Sequence, residues 1–152
     1  GVDVKIARIF NTYGERMYFD GRVICTFIKQ ALKNEPITVF GDGKQTRSFC
    51  YVGDMVEGLV KLMNSEYNDV FNLGSPYEIR INDLANLVKK IANSKSKIVF
   101  RPLPEDDPKK RNPDISKARK KLGWKPKIDL ENGLKKTIEW YKNNRWWLEK
   151  II

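Results

Sequence analysis

Arginines set close to glycine turns are the residues here whose types and spacing could do chemistry. In Thr38–Asp54, TVFGDGKQTRSFCYVGD, Arg47 follows a Gly-Asp-Gly turn and precedes an aromatic segment. A guanidinium in that setting can fork onto a phosphate, because its planar donors match two oxygens at once. Val39 and Phe40 can flank a flat base. The same spacing also fits Phe40 as core and Arg47 as the partner of Asp42 or Asp54, and spacing alone leaves both accounts open.

Three further stretches carry potential chemistry. Arg8–Met17, RIFNTYGERM, sets polar side chains after a strand-like run, at the kind of sheet edge where open α/β proteins bind ligands. Asn11 and Gly14 also suit an ordinary turn. In Asp20–Phe27, DGRVICTF, Arg22 stands just before a helix start, where backbone N–H groups favour anions; a solvated arginine at a loop tip is the alternative. Glu105–Pro126, EDDPKKRNPDISKARKKLGWKP, is basic but interleaved with Glu105, Asp106, Asp107 and Asp114. Those carboxylates argue against a nucleic-acid backbone as the partner of Lys109, Lys110, Arg111, Arg119, Lys120 and Lys121.

The chain contains no histidine and only two cysteines, Cys25 and Cys50. The commonest zinc ligand and general base are therefore missing, and neither cysteine has metal-ligand spacing, so no metal is expected. Two scattered thiols suit a reducing compartment, and the chain is read as cytoplasmic. The net charge of +10 allows a polyanionic partner. It is equally the mark of a lysine-rich solvated surface, and the spread of lysines over polar helix faces favours that account. No apolar run approaches the roughly 20 residues of a membrane span.

These residues need a scaffold. Val4–Phe10 reads as a strand and Asn11–Arg22 as a loop. From Val23, the residues Ile24, Phe27, Ile28, Ala31 and Leu32 keep helical spacing, and Glu35-Pro36 ends the run. Ile37–Phe40 is a strand closed by Gly41-Asp42-Gly43, and Phe49–Val52 a second short one. Asp54 is expected to cap a helix with Met55, Val56, Leu59, Val60 and Met63 on its inner face. Val70–Leu73 is a buried strand. Asn82 is expected to cap a helix carrying Leu84, Leu87, Val88 and Ile91, and Lys97–Phe100 is a strand. Arg101–Pro113 is a loop with Pro102, Pro104, Pro108 and Pro113. Asp114 and Asp129 cap two last helices, the first ended by Gly123 and the second carrying Leu134, Ile138 and Tyr141. Alternating strands and helices argue for an α/β fold. The opening run already looks like a buried strand, and strands need neighbours, so residues 1–152 are expected to be a piece of a longer protein.

Together, RIFNTYGERM, DGRV, TVFGDGKQTRSFCYVGD, NLGSP and DDPKKRNPDISKARKKLGW resemble, in order and spacing, the C-terminal half of the nucleotide-sugar enzymes of the extended short-chain dehydrogenase/reductase family. The resemblance runs from about Ile6 to Tyr141. The Gly-Asp-Gly…Thr-Arg and Asn-Leu-Gly segments are shared with the family's 4-epimerases and 4,6-dehydratases, and the flanking motifs are closest to its UDP-glucuronate decarboxylase branch. Glu15 departs from the pattern, which has proline after Tyr-Gly, and is expected to loosen that turn.

The resemblance implies the last strands of a Rossmann-type parallel sheet plus the small α/β substrate-binding lobe. It implies a UDP-sugar held by Asn11, Arg22, Val23, Phe27, Thr38, Val39, Phe40, Gln45, Arg47 and Arg111, with Arg111 also touching the reacting sugar. It places Phe10, Asn11 and Arg16 toward bound NAD. The implied reaction is oxidation at sugar C4, loss of CO2 and return of the hydride, carried out by a homodimer. The Gly-rich dinucleotide turn and the Tyr-x-x-x-Lys pair of such enzymes do not occur in this sequence: Tyr141 has Arg145, not lysine, four residues on. On that ground this stretch alone is expected to bind and not to turn over. A 4-epimerase, a 4,6-dehydratase, or a non-catalytic basic nucleotide- or nucleic-acid-binding module are the other readings.

Overall fold

The computed structural model describes residues 1–102 and 110–149. Pro104, Pro108, Lys109 and the acidic Glu105, Asp106 and Asp107 named above lie outside the described residues.

Two packed units share one chain. In the first, strand β1 (Ile6–Ile9) runs parallel to β6 (Val70–Leu73), with Ile6 opposite Val70 and Ile9 opposite Leu73. Helix α2 (Val52–Met63) and helix α4 (Ser116–Leu122) pack against this pair. Their core joins Cys50, Met55, Leu62, Phe71, Leu73, Ile115, Ala118 and Trp124. A short run such as Val70–Leu73, apolar at three of its four residues, suits a parallel strand covered by helices.

In the second unit, β3 (Ile37–Phe40) is parallel to β8 (Ile98–Arg101), covered by α1 (Val23–Lys33) and α3 (Ile81–Ala92). Helix α5 (Leu130–Asn143) packs on α3 and leads into a 3₁₀ turn, Arg145–Glu149. The core of this unit contains Phe27, Ile28, Ile37, Val39, Leu84, Val88, Leu134, Ile138 and Tyr141. Each such side chain contributes about 1.5–3 kcal/mol when fully buried. Helix α1 ends at Asn34, which is left-handed with φ 55°. Its carboxamide oxygen accepts from the Lys95 backbone N–H at 2.9 Å, tying the end of α1 to the segment after α3.

Between the units, β2 (Thr12–Tyr13) pairs with β5 (Cys50–Tyr51). A mixed ribbon has β4 (Thr46–Ser48) flanked by β7 (Glu78–Arg80), antiparallel, and β9 (Lys110–Arg111), parallel. The α/β fold expected, parallel strand pairs covered by helices plus a small α/β lobe, is the fold found.

Several local expectations are corrected. Helix α2 begins at Val52 with Tyr51 as its N-cap, so Asp54 lies inside the first turn. Its buried carboxylate instead accepts the backbone N–H groups of Lys127 at 3.0 Å and Ile128 at 2.9 Å. The helix also turns a different face inward: Met55, Gly58 and Leu62 are buried, while Val56, Val60 and Met63 are exposed. Gly58 packs under the Trp124 indole, where an added Cβ would stand 2.8 Å from the ring. Arg80, not Asn82, is the N-cap of α3; the Asn82 N–H donates to the Gly43 carbonyl at 3.0 Å. The two stretches read as loops hold short strands, Thr12–Tyr13 and Lys110–Arg111, and Glu78–Arg80 is a further short strand. At Glu15, where the family pattern has proline, the carboxylate accepts from the Tyr51 hydroxyl at 2.7 Å; burial, and after it this acceptor, pushes that phenol up to about 12.

Candidate functional site

The Gly-Asp-Gly turn reverses the chain after β3. Gly41 and Gly43 have φ of 68° and 70°, a region side chains avoid. At Gly43 a Cβ would also collide with Asn82. The turn carries Gln45 back to the end of β3. Gln45 donates to the Phe40 carbonyl at 2.7 Å, and its own carbonyl receives the Ile81 N–H at 3.1 Å.

On the ribbon, Arg47 of β4 and Arg111 of β9 are register partners. In a parallel pair, register partners project to the same face, and both arginines line one cleft of about 280 Å³. Helix α1 brings Val23 and Phe27 to this cleft, with Arg22 just before it; β3 brings Thr38 and Phe40, and the turn brings Gln45. Ile81 completes the wall and was not foreseen. Among the described residues, three arginines line this cleft, beside the first N–H groups of α1, a combination that suits an anion.

Arg47 is only 7% exposed and donates to the Thr46 carbonyl at 2.8 Å. Asp42 meets Lys44 at 3.3 Å, and the Asp54 carboxylate accepts the backbone N–H groups of Lys127 and Ile128. Arg22 is braced by Asp20, with its Nε 2.8 Å from one carboxylate oxygen. That hydrogen bond holds the Asp20 carboxyl below its usual range. Thr38 is fixed by Gln30, which accepts its N–H at 3.1 Å and donates to its hydroxyl at 3.3 Å. Phe40 is 47% exposed and forms an open apolar lip.

A second cleft of about 310 Å³ adjoins the first and shares Arg22, Val23 and Arg47 with it. Phe10, Asn11, Tyr13 and Met17 line it. Asn11 is held from both ends of its residue: its side chain donates to the Ser48 carbonyl at 3.2 Å, and its carbonyl receives the Cys50 N–H at 2.8 Å. Gly74 of Asn-Leu-Gly permits close packing there, since a Cβ would lie 2.8 Å from that of Phe10 and 2.9 Å from Pro113.

Two sequence-named residues fall elsewhere. Val39 is fully buried in the core of the lobe, because strand alternation points it opposite to Thr38 and Phe40. Arg16 is exposed, left-handed at φ 63°, and lines neither cleft. The two thiols are buried. Burial raises Cys25 and pushes Cys50 to about 12, so neither is a ready nucleophile. No group of three or more His, Cys, Asp or Glu able to hold a metal occurs among the described residues.

The family model for GDP-mannose 4,6 dehydratase matches residues 1–137. The chain belongs to this family. Among curated proteins it is 52% identical to UDP-glucuronic acid decarboxylase 1 of Arabidopsis thaliana, over 94% of this chain and 33% of the plant protein. It is 53% identical to UDP-glucuronic acid decarboxylase 1 of Danio rerio, over 93% of this chain and 34% of the fish protein. The chain thus spans about a third of the length of the curated relatives it matches. Among solved structures, UDP-glucuronic acid 4-epimerase from Bacillus cereus, in complex with UDP-glucuronic acid and NAD, superposes with a TM-score of 0.87 at 32% identity. That match covers 94% of this chain and 46% of the epimerase. The resemblance to extended short-chain dehydrogenase/reductase nucleotide-sugar enzymes therefore stands. Among the described residues no helix is long and apolar enough to cross a membrane.

Proposed function

We propose that this chain is the nucleotide-sugar-binding portion of an NAD-dependent UDP-glucuronate decarboxylase, converting UDP-glucuronate to UDP-xylose and CO2. The observation that carries the reading is the in-register pair Arg47 and Arg111 facing one cleft beside Thr38 and Phe40. Identities above 50% to decarboxylases of plant and animal origin support the choice of branch.

In this reading Arg47 and Arg111 fork onto the diphosphate, each such contact contributing about 1.5–3 kcal/mol. Arg22, held by Asp20, and the α1 N-terminus add positive potential. Thr38, Phe40 and Gln45 take the base, with Val23 and Phe27 at its border. Asn11 holds the sugar-diphosphate where the two clefts meet, and Arg111 lies toward the sugar. NAD, when bound, supplies reversible hydride acceptance at the sugar. This chain offers that cofactor little: Phe10 and Asn11 line the second cleft, and Arg16 does not. The dinucleotide turn and the Tyr/Lys pair then belong to the N-terminal half of a longer, cytoplasmic, homodimeric enzyme. A 4-epimerase or 4,6-dehydratase is the second reading, favoured by the fit to the epimerase structure; the product formed from UDP-glucuronate by the intact enzyme separates them.

Calorimetric titration of the chain with UDP and UDP-glucuronate tests the site. Saturable binding, lost in Arg111→Ala, is expected, with no turnover when NAD is added. Salt-sensitive binding to single-stranded RNA that UDP does not compete would overturn it in favour of a nucleic-acid module.

A further inference from the structure

The stretch between the two clefts' anchors, Asn11 and Arg22, is gripped from outside. The Met17 carbonyl accepts two side-chain donors from the C-terminal segment: the Tyr141 hydroxyl at 2.6 Å and the Trp147 indole N–H at 3.1 Å. The next two residues are gripped by the same pair of rings. Tyr18 stacks on Trp147 with centroids 5.0 Å apart, and Phe19 lies 5.4 Å from Tyr141. Trp140 braces Trp147 edge-on at 5.4 Å. An ion pair between Lys33 and Glu149 at 2.8 Å ties the 3₁₀ turn to α1.

Neither Tyr141 nor Trp147 lines either of these two clefts, yet Met17 lines the second and Arg22, five residues on, lines both. Packing alone does not require both donors to meet on one carbonyl. Aromatic rings could cover this loop in several rotations, whereas two directional bonds to one oxygen fix the backbone at a single point.

From this the geometry points to Tyr141 and Trp147 as positioning residues: a C-terminal clamp on the Met17 carbonyl that sets where Met17 stands in the second cleft and where Arg22 stands at the junction of the two. The claim rests on the reading of that cleft given above. The clamp acts through the backbone, so its loss lets the Met17–Arg22 segment sample other positions and weakens the bound state without removing a ligand contact.

Tyr141→Phe and Trp147→Phe remove the donors and keep aromatic rings. In the full chain, hydrogen exchange of the amides in residues 18–22 is expected to accelerate about fivefold per lost bond, the equivalent of about 1 kcal/mol. Exchange in α1 and α5 should stay as in wild type. UDP affinity should fall about fivefold in each variant. Uniform acceleration across the chain would mean a merely structural role and overturn the clamp, as would unchanged exchange at 18–22. Wild-type binding of UDP that is lost in Arg111→Ala but unaltered in both clamp variants sinks the clamp while the site stands. Failure of the wild type to bind UDP sinks the site, and the exchange pattern alone then decides the clamp.

Discussion

Arg47 and Arg111 are 64 positions apart in the chain, yet stand opposite each other on parallel strands β4 and β9 and face one cleft. Their setting differs: Arg47 is 7% exposed, while Arg111 is exposed. Under the reading proposed above, a diphosphate would lie between the two guanidinium groups.

Arg111→Ala is expected to leave thermal stability nearly unchanged and to weaken UDP binding at least tenfold, since a charge-assisted fork contributes about 1.5–3 kcal/mol. Arg47→Lys keeps the charge but loses the planar fork, and should weaken binding nearly as much. If both arginines hold one diphosphate, the double variant will lose less than the sum of the singles, because each remaining contact loosens when the other goes. Titration calorimetry at fixed salt measures all three. Additive or absent effects would place the arginines on different ligands.

Asp54 joins the units: its carboxylate takes the Lys127 and Ile128 N–H groups, and its carbonyl takes the Trp124 indole N–H at 2.9 Å. Asp54→Ala removes the acceptor of two part-buried backbone donors and should cost about 1–3 kcal/mol. Asp54→Asn keeps one acceptor oxygen and should recover part of that. Urea unfolding midpoints give the comparison; an Ala variant as stable as the wild type would show that water satisfies those donors.

Much of this was legible beforehand, for reasons that are local. Ile37–Phe40 and Val70–Leu73 are found at the bounds read from their apolar runs. Asp129 caps α5 by accepting the Asn132 N–H at 2.8 Å, and Gly123 ends α4 in a left-handed turn. The misses are tertiary. Asp54 has the type of an N-cap, but its partners lie more than 70 residues away, so no local pattern could show it. Strand Lys110–Arg111 exists only because β4 offers an edge. Val39 was placed with its neighbours in the site, although strand alternation was enough to send it inward. Gln30 and Tyr141, which hold Thr38 and Met17, gave no signal beyond helical spacing.

The Asp129 cap makes a pH prediction. The Asn132 N–H holds its carboxyl below the usual range in the folded chain. A group with a depressed folded pKa stabilises fully above its unfolded value, about 4, and that contribution is lost as pH falls through the folded value. Asn caps without titrating. The stability of Asp129→Asn relative to wild type should therefore improve between pH 6 and pH 3. Thermal midpoints at the two pH values check it, and a constant difference would show that the carboxylate charge plays no part.

Gly133 shows how the lobe and the middle ribbon are fitted together. Helix α5 crosses Tyr13 at this glycine, and an added Cβ would overlap the Tyr13 hydroxyl, with the Tyr51 ring 3.2 Å away. The phenol has little room to yield: it is 2% exposed, donates to the Leu130 carbonyl at 3.3 Å and packs edge-on against Tyr51. Gly133→Ala should then destabilise by about 1–3 kcal/mol through overpacking, despite alanine's better helix propensity. Tyr13→Phe frees the space that the hydroxyl fills, at the loss of one long hydrogen bond. Gly133→Ala should accordingly cost less in the Tyr13→Phe background than in the wild type. Equal costs in the two backgrounds would locate the clash elsewhere, on the Tyr51 ring.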